Sequence, residues 1–161
     1  MSAERQHSRK LQDILVASGK SCDRLLNALN DERNALKADD TSQLSAAVAR
    51  KKSHLADLES LETQRRALLA ACKYKDDMAA MERFIHQHDS SGDLMTLWQQ
   101  TMELVRQCRE SNRTNGIIIA AQQRQQAEAL NVLREQDADT ETYGPQGKTE
   151  TTGQYRAIAE V

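Results

Sequence analysis

The sequence predicts an all-α fold, an antiparallel bundle of three long helices plus one short helix, followed by an extended C-terminal tail. Three observations carry that prediction. Only six glycines and one proline interrupt 161 residues, so long unbroken segments are available. Apolar residues recur at spacings of three and four over stretches of about thirty residues, the period of an amphipathic helix. Aromatics make up 3% of the chain and the mean hydropathy is −0.74, which suits narrow aliphatic seams on solvated rods rather than a broad interior.

The first helix is predicted over residues 8–37. Leu11, Leu15, Ser18, Cys22, Leu25, Leu29, Glu32 and Leu36 follow at alternating steps of four and three, a bundle seam that Ile14 and Leu26 widen. "KADDTSQL" then breaks the chain. Asp40 with Gln43 has the pattern of a capping box, so the second helix starts near Thr41 and runs to about Cys72. Its inward residues are Leu44, Val48, Leu55, Leu58, Leu61, Leu68 and Leu69. A connection this short makes the first two helices antiparallel neighbours. After "YKDD", the segment "DMAAMERFIHQH" is a shorter helix with Met78, Met81, Phe84 and Ile85 on one side. Phe84 and Ile85 are expected against Leu97, Trp98 or their neighbours. In "DSSGD", Ser90 or Ser91 is the expected cap of the last helix.

That last helix is predicted from Asp93 to Arg134. Its first half packs well, with Leu94, Leu97, Trp98, Met102, Leu104, Val105 and Cys108. The same seam then reads Asn112, Asn115, Ile119, Gln122 and Gln126, so it turns polar where the helix outruns its partners. Gly116 costs roughly 1 kcal/mol of helix propensity relative to alanine, and the β-branched Ile117, Ile118 and Ile119 follow it. This stretch is either a close helix crossing at Gly116 with the isoleucines covered, or an open surface that awaits a partner. The bundle is therefore assigned to residues 1–134. Residues 135–161 form a tail, flexible or folding back, that holds the proline and two of the three tyrosines.

The chemistry that the sequence excludes is extensive. A net charge of −2, with no basic stripe interleaved with aromatics, argues against nucleic acid as a partner. No apolar run approaches the roughly 20 residues of a membrane span, and "MSAERQHSRKLQ" has no secretory apolar core. Cys22, Cys72 and Cys108 read as small hydrophobes of a reducing cytoplasm. His86 and His88 lie about 200° apart on a helix and cannot share a metal there, so they read as solvated residues near a helix end. Asp39–Asp40 and Asp76–Asp77 sit at predicted helix starts, where carboxylates satisfy free N–H groups. No nucleophile motif or phosphate-cradling loop occurs. A non-enzyme without cofactor or metal is expected.

Three motifs in series carry a resemblance. They are "NRTNGIII" with Asn112, Asn115 and Gly116, "EALNVL" with Ala129, Leu130, Val132 and Leu133, and "TYGPQGKT" with Tyr143, Gly144, Gly147 and Thr149. Their order and spacing resemble those of the FlgN family of flagellar export chaperones. The resemblance implies a cytoplasmic protein that binds C-terminal segments of the hook-associated proteins FlgK and FlgL. Such a protein keeps them unassembled and delivers them to the type III export gate. The seam that turns polar around Gly116 and the isoleucine cluster makes the distal part of the last helix the expected client site, at Asn112, Asn115, Gly116, Ile118, Ile119, Leu130 and Leu133. The resemblance also implies docking of Tyr143, with Gly144, to the cytosolic domain of the gate protein FlhA, and Tyr155 is expected either as a further gate contact or in a fold-back onto the isoleucine cluster. A monomer or weak dimer is expected when the protein is free. The alternative is a structural coiled-coil scaffold or adaptor that forms a constitutive homodimer through the Ile117–Ile119 face.

Overall fold

The computed structural model describes the backbone of residues 3–89 and 91–141 and the side chains of residues 5–89 and 91–136. Four helices follow in order: α1 (Ala3–Ala38), α2 (Thr41–Ala71), α3 (Met78–His88) and α4 (Asp93–Glu141). The chain divides into two compact units, Met1–Ile119 and Ala120–Val161.

In the first unit, α1 is the central element. Of its eight predicted seam positions seven are buried, and Ser18 is half-buried. α1 closes at Asp39, which takes a left-handed φ of 54°. Asp40 then caps α2 by accepting the Gln43 backbone N–H at 3.0 Å. This two-residue connection makes α1 and α2 antiparallel, and the Asp31–Arg50 and Glu32–Lys51 ion pairs cross between them. The predicted set of inward residues on α2 needs one correction. Leu55 is 42% exposed, because it stands at the edge of an apolar groove rather than in the core.

α1 and α4 run parallel. Thr101 donates to the Leu15 carbonyl, Cys108 to the Cys22 carbonyl and Asn115 to the Leu29 carbonyl. The separation is 86 residues each time and successive pairs are one heptad apart, so the register is held along the whole contact.

The end of the bundle where α2 leads into α4 is the aliphatic and aromatic part of the core. Leu11, Ile14 and Leu15 of α1 meet Leu68 and Leu69 of α2, Met81, Phe84 and Ile85 of α3, and Leu94 and Trp98 of α4. α3 is held there by its own cap, with Asp77 accepting the Ala80 N–H at 2.6 Å. The other acid of that pair, Asp76, instead binds Arg65 at 2.7 Å and Arg66 at 3.0 Å. Arg65 also bonds Glu62, and those hydrogen bonds hold the Glu62 carboxyl below its ordinary range. Two readings of α3 are corrected. His88 is half-buried rather than solvated, stacked on Phe84 with centroids 4.2 Å apart. Met78 is 52% exposed while Met81 is fully buried.

Of the two serines expected to cap α4, Ser90 lies outside the described residues and Ser91 Oγ accepts only the Asp93 N–H, at 3.4 Å, while Asp89 makes the main cap. Its carboxylate accepts the Gly92 N–H at 2.9 Å and, with the other oxygen, the Met95 N–H at 3.0 Å. Burial pushes the Asp89 carboxyl up, but these backbone donors, with that of Ser91, outweigh it and hold the group below its ordinary range. Gly92 makes the tight entry possible with a φ of 84°, a backbone angle that side chains disfavour.

In the second unit α4 continues to Glu141, seven residues past the predicted end at Arg134. "EQDADTE" has no apolar period, but Glu, Gln and Ala are adequate helix formers without one. Residues 142–161, with Tyr143, Gly144 and Tyr155, lie outside the described residues. Among the described residues no helix is long and apolar enough to cross a membrane.

Candidate functional site

The predicted client-binding residues fall into both units. Asn112, Asn115, Gly116, Ile118 and Ile119 belong to the first, and Leu130 and Leu133 to the second.

In the first unit the seam does turn polar, and the structure shows why. Asn115 is 1% exposed and is held by three helix partners. Its amide donates to the Leu29 carbonyl at 2.8 Å and to Glu32 Oε2 at 2.7 Å, and its Oδ1 accepts from Arg33 Nε at 3.0 Å. Glu32 is also 1% exposed, and its Oε1 accepts Lys51 Nζ of α2 at 2.6 Å. Arg33 reaches further to Ser111, bonding its Oγ at 2.8 Å and its carbonyl at 3.3 Å. This is a closed polar layer through α1, α2 and α4. Asn115 is part of the bundle interior, and its side chain is spent there.

Gly116 is exposed, and a Cβ built on it would meet nothing within 4 Å, so no close helix crossing occurs at this glycine among the described residues. The open isoleucine is Ile117, at 61% exposure, whereas Ile118 and Ile119 are half-buried.

Asn112 is exposed and borders a feature the sequence did not reveal. A groove of about 200 Å³ opens between α1, α2 and α4, with Leu25, Leu29, Leu58 and Val105 among its apolar walls. Cys22 and Cys108 also line it, with the Cys108 thiol 3.5 Å from the Cys22 carbonyl. Their hydrogen bond, together with burial, pushes the Cys108 thiol up. Lys51, Arg109 and Asn112 form its polar rim. The periodicity of α4 pointed to Val105 and Cys108, but the α2 wall of Leu55 and Leu58 was read as ordinary core.

In the second unit the described side chains are exposed except Gln122, which is half-buried. Leu130, Val132 and Leu133 are 56%, 52% and 56% exposed. Ala129, Val132 and Leu133 share one helical face by their spacing of three and four, and Leu130 borders it. Three large aliphatic side chains open to water within four residues form a surface suited to an apolar helix face of another chain.

No group of three or more His, Cys, Asp or Glu side chains that could hold a metal stands together among the described residues.

Comparison with known proteins agrees with this architecture and with the motifs. The crystal structure of a Pseudomonas aeruginosa protein described as flagella synthesis FlgN is similar in fold, with a TM-score of 0.62. It is 23% identical, and the match covers 76% of this chain and 94% of that one. The flagella synthesis proteins FlgN of Salmonella typhimurium and Salmonella typhi are each 26% identical over 127 residues, 79% of this chain and 86% of theirs. The family model described as FlgN protein matches residues 1–151, which spans the bundle and all three motifs, and the chain therefore belongs to the FlgN family.

Proposed function

We propose that this protein is a cytoplasmic chaperone of flagellar type III export. In this reading it binds C-terminal segments of the hook-associated proteins FlgK and FlgL, prevents their premature assembly and delivers them to the export gate. It works by binding, not by catalysis. Family membership supports the flagellar role. The observation that carries the binding role is the open aliphatic face of Leu130, Val132 and Leu133. An amphipathic client helix laid on this face would remove those side chains from water, and each fully buried one is worth roughly 1.5–3 kcal/mol. Because the three are already exposed, the fold does not depend on them. Leu130→Asp and Leu133→Asp are each expected to weaken binding of a FlgK or FlgL C-terminal segment about tenfold or more. Their melting curves are expected to match the parent's. Titration calorimetry and circular dichroism on the same samples check both.

Delivery needs a second contact, and Tyr143 of the "YGPQG" segment is the residue proposed for it, by docking to the cytosolic domain of FlhA. Tyrosine supplies large apolar area, few rotatable bonds and a hydroxyl, the qualities of an interface anchor. Tyr143→Ala is expected to leave melting temperature and client affinity unchanged while it weakens binding to the FlhA domain. A pull-down with that domain, run beside a client titration, reads the two functions separately. Intact FlhA binding or a melting temperature lowered by several degrees would remove Tyr143 from this role.

A further inference from the structure

The groove of the first unit opens between α1, α2 and α4. Its walls are largely apolar, and Leu55 at its edge stays 42% exposed. Its polar rim has a consistent chemistry. Lys51 is already engaged by the buried Glu32 carboxylate and approaches Asn112 Oδ1 at 3.5 Å. The Asn112 amide N–H groups have no partner among the described residues, and the side chain is exposed. Arg109 is exposed and has no ion-pair or hydrogen-bond partner among the described residues. Among the described residues the unpartnered groups of the rim are therefore donors with one unpaired positive charge, beside a pocket that fits an aliphatic side chain.

We infer that this groove is a second client contact. It takes one leucine- or isoleucine-sized side chain of a client helix that carries an aspartate or glutamate one turn away, and that carboxylate pairs with Arg109 and Asn112. The match is one of charge and shape: the rim groups left without a partner among the described residues are donors, the Arg109 guanidinium and the Asn112 amide N–H, and the guanidinium fork can hold a carboxylate through two hydrogen bonds. The inference rests on the chaperone reading and adds to it the chemistry of the segment recognised, an acidic amphipathic helix.

The test uses the full chain and a fluorescently labelled C-terminal segment of FlgK, with anisotropy as the readout. Leu55→Glu and Arg109→Glu change exposed side chains and are expected to leave the circular-dichroism melt unchanged. Each is expected to weaken binding about tenfold. The loss in Arg109→Glu is expected to be largely restored by a client segment with one acidic residue reversed to lysine. If both variants bind as the parent does while Leu130→Asp loses affinity, the groove contact is wrong and the chaperone reading stands. If Arg109→Glu loses affinity and no single charge reversal in the client restores it, the assigned carboxylate partner is wrong. If the parent protein binds neither a FlgK nor a FlgL segment, the chaperone reading falls and the groove contact falls with it.

Discussion

Phe84→Ala is expected to destabilise the protein by about 3–5 kcal/mol, the cost of deleting a fully buried ring that its surroundings cannot refill. Phe84 is 0% exposed and is the largest fully buried side chain among the described residues. It stands in the core cluster with Leu11, Leu69, Met81 and Trp98, so all four helices contribute to its surroundings. His88 stacks on one face of the ring, and Tyr74 stands in a T-shaped arrangement with it at a centroid distance of 5.4 Å. Both aromatic neighbours would lose that contact along with the volume. Domain stabilities are commonly about 5–15 kcal/mol, so the loss is a large part of the total. A urea melt reads it directly. A midpoint close to the parent's would mean that α3 is not a fixed part of the bundle and that its apolar side is available for binding.

The second large effect is at the polar layer. Glu32→Ala is expected to cost about 3 kcal/mol, the lower end of what breaking a buried pair costs, because Lys51 keeps some access to water. The side chains of Glu32 and Lys51 are 2% and 20% exposed. Removing the carboxylate strands the Lys51 ammonium and one N–H of Asn115 at once. Glu32→Gln can keep a hydrogen bond to one of the two partners without the charge, and is expected to lose clearly less. Urea midpoints of the two variants give the order. Equal stability of Glu32→Ala and the parent would show that the layer does not hold the register of the three helices.

That layer also shows what the sequence could reveal. The eight-position seam of α1 was legible because it keeps a strict period, whereas the row of small residues beside it, Ser21, Ala28 and Ala35, is buried as well and was not read. The period even included Glu32, which is buried as a bundle position requires. It could not say what makes a buried glutamate tolerable. Its partners, Lys51 and Asn115, lie on other helices, 19 and 83 residues away. For the same reason the polar turn of the α4 seam read as an unpacked stretch, whereas Asn115 is among the most buried residues of the chain. Caps were legible where the acid sits next to its helix, at Asp40 and Asp77. The cap of α4 was missed because Asp89 reaches across a turn to Met95, six residues on. The groove was not legible at all. It arises where α2 fails to cover α1 and α4 completely, and a leucine at the edge of such an opening has the same spacing as one in the core.

The central claim is that the open aliphatic face near the end of α4 binds a client segment. The most direct measurement is the affinity of the full chain for a FlgK C-terminal segment by titration calorimetry, with the parent protein and Leu133→Asp compared at matched melting temperature. The account predicts saturable binding by the parent and an affinity about tenfold or more lower for the variant, the effect of losing one buried aliphatic contact. Equal affinities for the two proteins, or no binding by the parent, would contradict it.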